Sequence, residues 1–221
     1  MAQATRSSSS IIAPSDDPIE NVSSWFQANQ KPLLYGVGAL IVAAGAIFLY
    51  RTTNTNAREK ASAALYQAQA PLSEGKLPEA QAALEKVVSR YASTASGQQA
   101  AMLLAQVLFD QKKYDAGIKV LESASSSAGA DFSASLQGLI GAGYDAKGDY
   151  IKAAEHFEKA SAMAKFELDK GQFRASEARS LMSGKKLEEA KKIWEDLATR
   201  EGLPFAQEAK VRLGEIAGSA K

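Results

Sequence analysis

From Ala57 onward, apolar positions recur three and four residues apart, interrupted only by short turns rich in glycine or lysine. That spacing keeps one face of each segment apolar, and it predicts helices rather than strands. Four of the interruptions repeat one motif. They are Gly75-Lys76-Leu77-Pro78-Glu79-Ala80, Lys112-Lys113-Tyr114-Asp115-Ala116-Gly117, Gly148-Asp149-Tyr150-Ile151-Lys152-Ala153 and Lys185-Lys186-Leu187-Glu188-Glu189-Ala190. The anchor residues Leu77, Tyr114, Tyr150 and Leu187 lie 37, 36 and 37 positions apart. A period of this size predicts a helical solenoid, in which each helix–turn–helix unit buries its apolar face on a neighbour. Such an array points to protein binding rather than to chemistry.

Aligning the units on their anchors exposes a packing code. The first helix of each unit carries Ala68, Ala105, Gly141 and Ala178 at one position, and the second carries Ala80, Gly117, Ala153 and Ala190 just past the turn. All eight are small, as a tight helix crossing requires. Leu84, Leu121, Phe157 and Trp194 follow four residues later to fill the space between units, and Val87, Ala124, Ala160 and Leu197 complete the stripe. Residues from Pro204 to Ile216 read as a final helix that closes the array against solvent.

The pattern before Ala57 is different. Residues from Pro32 to Tyr50 carry no charge, and Lys31 and Arg51 bracket them. Nineteen helical residues span about 28 Å, close to the ~30 Å of a bilayer core. Tyr35 and Tyr50 near the ends suit the membrane interface. A buried core helix would show a shorter run with polar breaks. A cleaved signal peptide would start earlier and end in a small-x-small site, whereas Arg51-Thr52-Thr53-Asn54 follows here. The segment is therefore read as an uncleaved signal anchor, with Gly38, Val42 and Gly45 as a candidate stripe for close helix docking in lipid.

Five regions result: a disordered tail over 1–15, a juxtamembrane amphipathic helix within 16–31, the anchor at 32–50, a polar linker at 51–56, and the repeats from 57 to 221. The juxtamembrane helix rests on Asp17-Pro18-Ile19-Glu20 as a start signal and on Ile19, Val22 and Phe26 sharing a face beside Trp25. A polar tail with scattered aromatics is the alternative. Asn29-Gln30-Lys31-Pro32 is expected to break this helix before the anchor.

Composition narrows the function classes. The 221 residues carry a net charge of +1, which suggests no bulk attraction for nucleic acid. The absence of cysteine excludes disulfides, thiolate zinc sites and a cysteine nucleophile. The one histidine, His156, has no second histidine to share a metal and sits beside core positions, so it reads as structural. Gly138-Leu139-Ile140-Gly141-Ala142-Gly143 lies inside a helix, without the strand–turn–helix context of a phosphate loop. No catalytic, metal or cofactor site is expected.

The repeated motif resembles the tetratricopeptide repeat, a 34-residue helix–turn–helix unit with small residues at the helix crossing. The third unit matches best, through Gly141, Tyr144, Gly148-Asp149-Tyr150, Ala153, Phe157 and Ala160. Gly117 and Glu177 depart from the pattern in the second and fourth units. Pro71 is expected to kink the first helix. The fold expected is all-α: one N-terminal transmembrane helix, then a solenoid of about four such repeats and a capping helix. The resemblance implies a binding groove on the inner face of the first helices, lined by Leu65, Gln69, Gly138, Ala142 and Ala175 together with Leu72, Met102, Gln106, Phe109, Asp145, Arg179 and Met182, the last seven being the leading candidates.

The order of Trp25-Phe26-Gln27-Ala28-Asn29-Gln30-Lys31, a Gly/Ala-rich span, Arg51 and tetratricopeptide-like units resembles the bacterial ancillary SecYEG translocon subunit family. That resemblance implies a non-enzymatic protein of the inner membrane with periplasmic repeats. Its implied partners are translocon subunits, a membrane-anchored periplasmic chaperone and nascent exported chains, with lipid contact through 32–50 and neither nucleic acid nor a small-molecule substrate. The Lys/Arg flanks (Arg6 and Lys31 against Arg51, Arg58 and Lys60) are nearly balanced and lean instead toward cytoplasmic repeats. A scaffold subunit of another membrane complex is the alternative.

Overall fold

The computed structural model describes Trp25 and residues 30–200 and 202–219; the tail and most of the juxtamembrane segment lie outside the described residues. Nine numbered helices and no strands are found among the described residues: α1 (Gln30–Ser73), α2 (Leu77–Tyr91), α3 (Ala95–Asp110), α4 (Tyr114–Ser125), α5 (Ala130–Lys147), α6 (Tyr150–Met163), α7 (Glu167–Ser183), α8 (Leu187–Ala198) and α9 (Pro204–Ser219). The chain divides into two compact units, Met1–Asn54 and Thr55–Lys221.

In the first unit, α1 contains an apolar window of mean hydropathy 2.2, none of it buried. Gln30, Lys31 and Pro32 are the first residues of α1, and the juxtamembrane helix from which a break was expected to separate it lies outside the described residues. The expected polar linker, 51–56, is helical and continues α1. The hydroxyls of Thr52 and Thr53 donate to the carbonyls of Phe48 and Leu49, each at 2.9 Å, so side chains that compete with the helix are satisfied within it.

The second unit stacks helix pairs in chain order. The first pair is the last stretch of α1 with α2, followed by α3 with α4, α5 with α6 and α7 with α8, and α9 closes the end. Every residue of the sequence code is buried. Ala80, Ala105, Ala153, Ala178 and Ala190 are fully covered, as are Leu84, Leu121 and Trp194. Gly117 shows why size matters at the crossing: a Cβ there would stand 2.5 Å from the Phe109 ring and 3.1 Å from the Ala105 carbonyl. The cap is seated through Phe205, Ala209 and Ile216, which join the core around Trp194 and Leu197.

All four turns close identically. The amides of Gly75, Lys112, Gly148 and Lys185 bond carbonyls three residues back, and those of Lys76, Lys113, Asp149 and Lys186 bond carbonyls five back. This is the Schellman closure, and it puts the first residue of each turn in the left-handed region. Glycine occupies that position in the first and third turns (φ 71° and 88°), but Lys112 and Lys185 take it in the second and fourth (φ 59° and 62°). Pro71 stays inside α1, in its last turn, with its carbonyl accepting the Lys76 amide at 2.8 Å.

Candidate protein-binding surfaces

The groove residues inferred for the first helices fall at three repeated positions, and each position has a different fate. The position of Leu72, Phe109, Asp145 and Met182 is half-buried and used for packing. Leu72 joins the first core cluster. Phe109 lies 6.2 Å from Tyr114, ring to ring, and fills the space beside Gly117 and Gly143. Asp145 accepts a hydrogen bond from the Ser180 hydroxyl of the next repeat at 2.7 Å. The Met182 sulfur accepts from the Trp194 indole at 3.2 Å.

The position of Leu65, Met102, Gly138 and Ala175 is largely covered. Met102 packs half-buried on the middle cluster, and Gly138 lies under Phe173, whose ring atom would stand 2.4 Å from an added Cβ. The remaining position stays open: Gln69, Gln106 and Arg179 are exposed. Gln106 reaches only Asp110 on its own helix, at 3.2 Å. Arg179 makes a two-pronged pair with Glu208 of α9 (2.7 and 2.8 Å), beside a cavity of about 300 Å³ that Ala175 and Phe205 also line. The Arg179 guanidinium holds the Glu208 carboxyl below its usual range. In the first unit, Gly38, Val42 and Gly45 lie on an exposed helix, and no atom is within 4 Å of the Cβ positions of Gly38 and Gly45.

Two larger cavities lie on the other side of the array, where the spacing of the repeats gives no hint of them. One, of about 480 Å³, lies between residues 64–68 of α1 and the outer stripe of α2. The other, of about 420 Å³, lies among α6, α7 and α8. Glu177 lines the second, only 7% exposed. Arg174 bonds it at 2.8 Å, yet burial pushes its carboxyl up to about 7, against the pull of Arg174 and with added repulsion from Glu158. The sequence held a signal for it: Glu177 stands where other repeats bury Leu104 and Ile140. His156 is structural in its contacts. Its ring stacks on Tyr144 at 5.4 Å and bonds the Gln137 amide at 2.8 Å, and burial lowers its pKa.

A family profile described as a tetratricopeptide repeat-like domain matches residues 61–175, just over half the chain. The chain belongs to the tetratricopeptide repeat-like family. Among solved structures it is similar to a Podosopora anserina protein of nearly identical TPR-like repeats, provisionally named a kinesin light chain. The TM-score is 0.59 at 16% identity, over 74% of this chain and 88% of that one. A single-substitution variant of that protein gives 0.60 at 17%, over 74% and 87%. At that identity the likeness shows the fold alone. No curated protein is significantly similar to the chain.

Proposed function

We propose that this protein is a non-enzymatic, membrane-tethered binding module serving the secretion translocon, linking it to periplasmic chaperones or nascent exported chains. Tetratricopeptide-like repeats form protein-interaction and scaffold modules, and the repeats here stack around buried cores, with α9 seated on the last of them. The observation that carries the tether is the apolar window of α1, none of it buried, in the helix that contains the expected span 32–50. An unburied apolar helix in water is unfavourable by about 25 cal/mol per Å² of apolar surface, and a bilayer removes that cost. The translocon assignment, the inner-membrane location and the periplasmic side rest on the resemblance of the N-terminal layout. Confinement beside the translocon would raise the effective concentration of the repeats for their ligands without new contacts. Affinity purification of the tagged chain from gently solubilised membranes, read by mass spectrometry, tests the proposal.

A further inference from the structure

The fourth repeat departs from the packing of the others where it meets the third. Relative to the turn anchors, Glu177 of α7 takes the place of Leu104 and Ile140, and Ala154 of α6 takes the place of Ile118. Between the second and third repeats, Ile118 and Ile140 stand in one buried cluster. Between the first and second, Leu104 is buried with Leu84 and Val87. Aliphatic side chains seal both of those junctions. Between the third and fourth, a carboxyl and a methyl group stand in their places, and both line the cavity of about 420 Å³ among α6, α7 and α8.

Glu177 is held there by one cation of its own helix. Arg174, one turn back, donates to it at 2.8 Å and itself reaches the surface. The other charged groups that share the cavity are Glu155 and Glu158 of α6 and Lys186, Glu189 and Lys192 of α8. Lys186 is paired with Glu189 at 3.2 Å. The third repeat thus brings only carboxylates to its side of the cavity. An ionised Glu177 loses hydration when the junction closes and gains no cation from α6 in return, so its charge is better accommodated by an open junction that water enters. The protonated acid carries no such penalty. In the closed junction burial pushes the carboxyl up to about 7, with Arg174 pulling the other way and Glu158 adding repulsion.

We propose that the junction between the third and fourth repeats is a pH-operated joint, closed while Glu177 is protonated and opened by its ionisation, so that the fourth repeat and α9 swing away from the first three together. Repeat arrays open between neighbours because each repeat packs only on the next. Here α9 shares the buried cluster of Trp194 and Leu197 and moves with the fourth repeat. Residues 164–166 are the covalent link between α6 and α7. Opening uncovers Ala154 and Leu181, which line the cavity and are buried when it is closed. A ligand spanning the inner faces of the third and fourth repeats would then meet one continuous surface below neutral pH and a divided one above it. The inference goes beyond protein binding as such, and it does not rest on the translocon as partner.

The chain has no cysteine, so one introduced thiol can report the opening. Ala154→Cys places it in the joint, and Ala124→Cys places a control in the cluster that joins the second and third repeats. Each full-length variant in detergent is reacted with dithiodipyridine, and protection is the rate of the unfolded chain at the same pH divided by the rate of the folded one, which removes the thiol's own titration. Between about pH 5 and about pH 8, protection at 154 should fall at least ten-fold, as linkage requires of a carboxyl that regains its ordinary value on opening. Protection at 124 should stay constant. Glu177→Gln or Glu177→Leu, added to Ala154→Cys, should abolish the fall, and Glu158→Gln should reduce it. His156, which packs on Tyr144 and bonds Gln137, is common to all these chains. A thiol at 154 unprotected at the lower pH, a fall that survives both Glu177 substitutions, or an equal fall at 124 overturns the joint. None of these failures touches co-purification with secretion components, so the two readings fail separately.

Discussion

Lys112 and Lys185 hold a backbone conformation that costs an L-residue about 1–2 kcal/mol and costs glycine nothing. They hold it because the Schellman closure gives two hydrogen bonds only in that geometry, and the helix on each side has its own packing to satisfy. Glycine at the same place in the other two turns loses more unfolded-state freedom, about 0.5–1 kcal/mol, so the net advantage is small but real. Lys112→Gly and Lys185→Gly should each stabilise the chain by about 0.5–1 kcal/mol, raising the melting temperature by roughly 1–4 °C. Unchanged or lowered melting in both would contradict the turn assignment. At the same scale, the Glu177 carboxyl titrates near 7 in the folded chain against an ordinary value of 4.5, because burial disfavours its charge. Its folded state binds the proton more tightly, so its contribution to stability is whole below about 4.5 and is lost as pH rises through about 7. The melting temperature of the native chain relative to Glu177→Gln should therefore fall across that window. The opposite pull of His156 is common to both chains and cancels. A difference that stays flat with pH would place Glu177 in water.

At the scale of the helix pair, the crossing is set by side-chain size. Gly141 leaves 3.0 Å between an added Cβ and the Phe157 ring and 3.1 Å to the Ala153 carbonyl, so neither partner can yield far. Gly141→Leu or Ala153→Leu should destabilise the array by roughly 1–3 kcal/mol through overpacking. Thermal unfolding of the full-length chain that is indistinguishable from native would break the alignment of the repeats. These crossings and the turns are legible in the sequence because spacing alone encodes them. The inner-face residues are less legible. Spacing tells which face Gly138 and Ala175 occupy, but not that Phe173 of the next first helix will cover Gly138 or that Ala175 will join a buried cluster with Phe205 of the cap. Asp145 and Met182 likewise look available on a helical wheel; Asp145 is engaged by Ser180 only once the repeats stack, and Met182 by Trp194 only once its own helix pair closes. The segment 51–56 reads as a linker for a local reason. Threonine and asparagine are weak helix formers, but the Thr52 and Thr53 hydroxyls bond back to the preceding turn and remove the penalty for staying helical.

At the scale of the whole molecule, one unit offers exposed apolar helix and the other a closed stack of repeats with polar surfaces and ion-paired edges. The surface pairs, such as Lys147 with Asp115 and Arg200 with Glu167, are largely exposed and contribute little to stability. The stack is held by its crossings, its turn closures and the α9 cap. A chain built this way is suited to hold another protein beside a membrane, and purification of the tagged full-length chain from gently solubilised membranes, alongside a chain whose residues 32–50 are replaced by an unrelated transmembrane helix, tests that directly. The account predicts translocon subunits and a periplasmic chaperone enriched with the native chain, and translocon enrichment reduced with the exchanged anchor. Recovery instead of a different membrane complex at fixed copy number, unaffected by the exchange, would contradict it and make the protein a scaffold subunit.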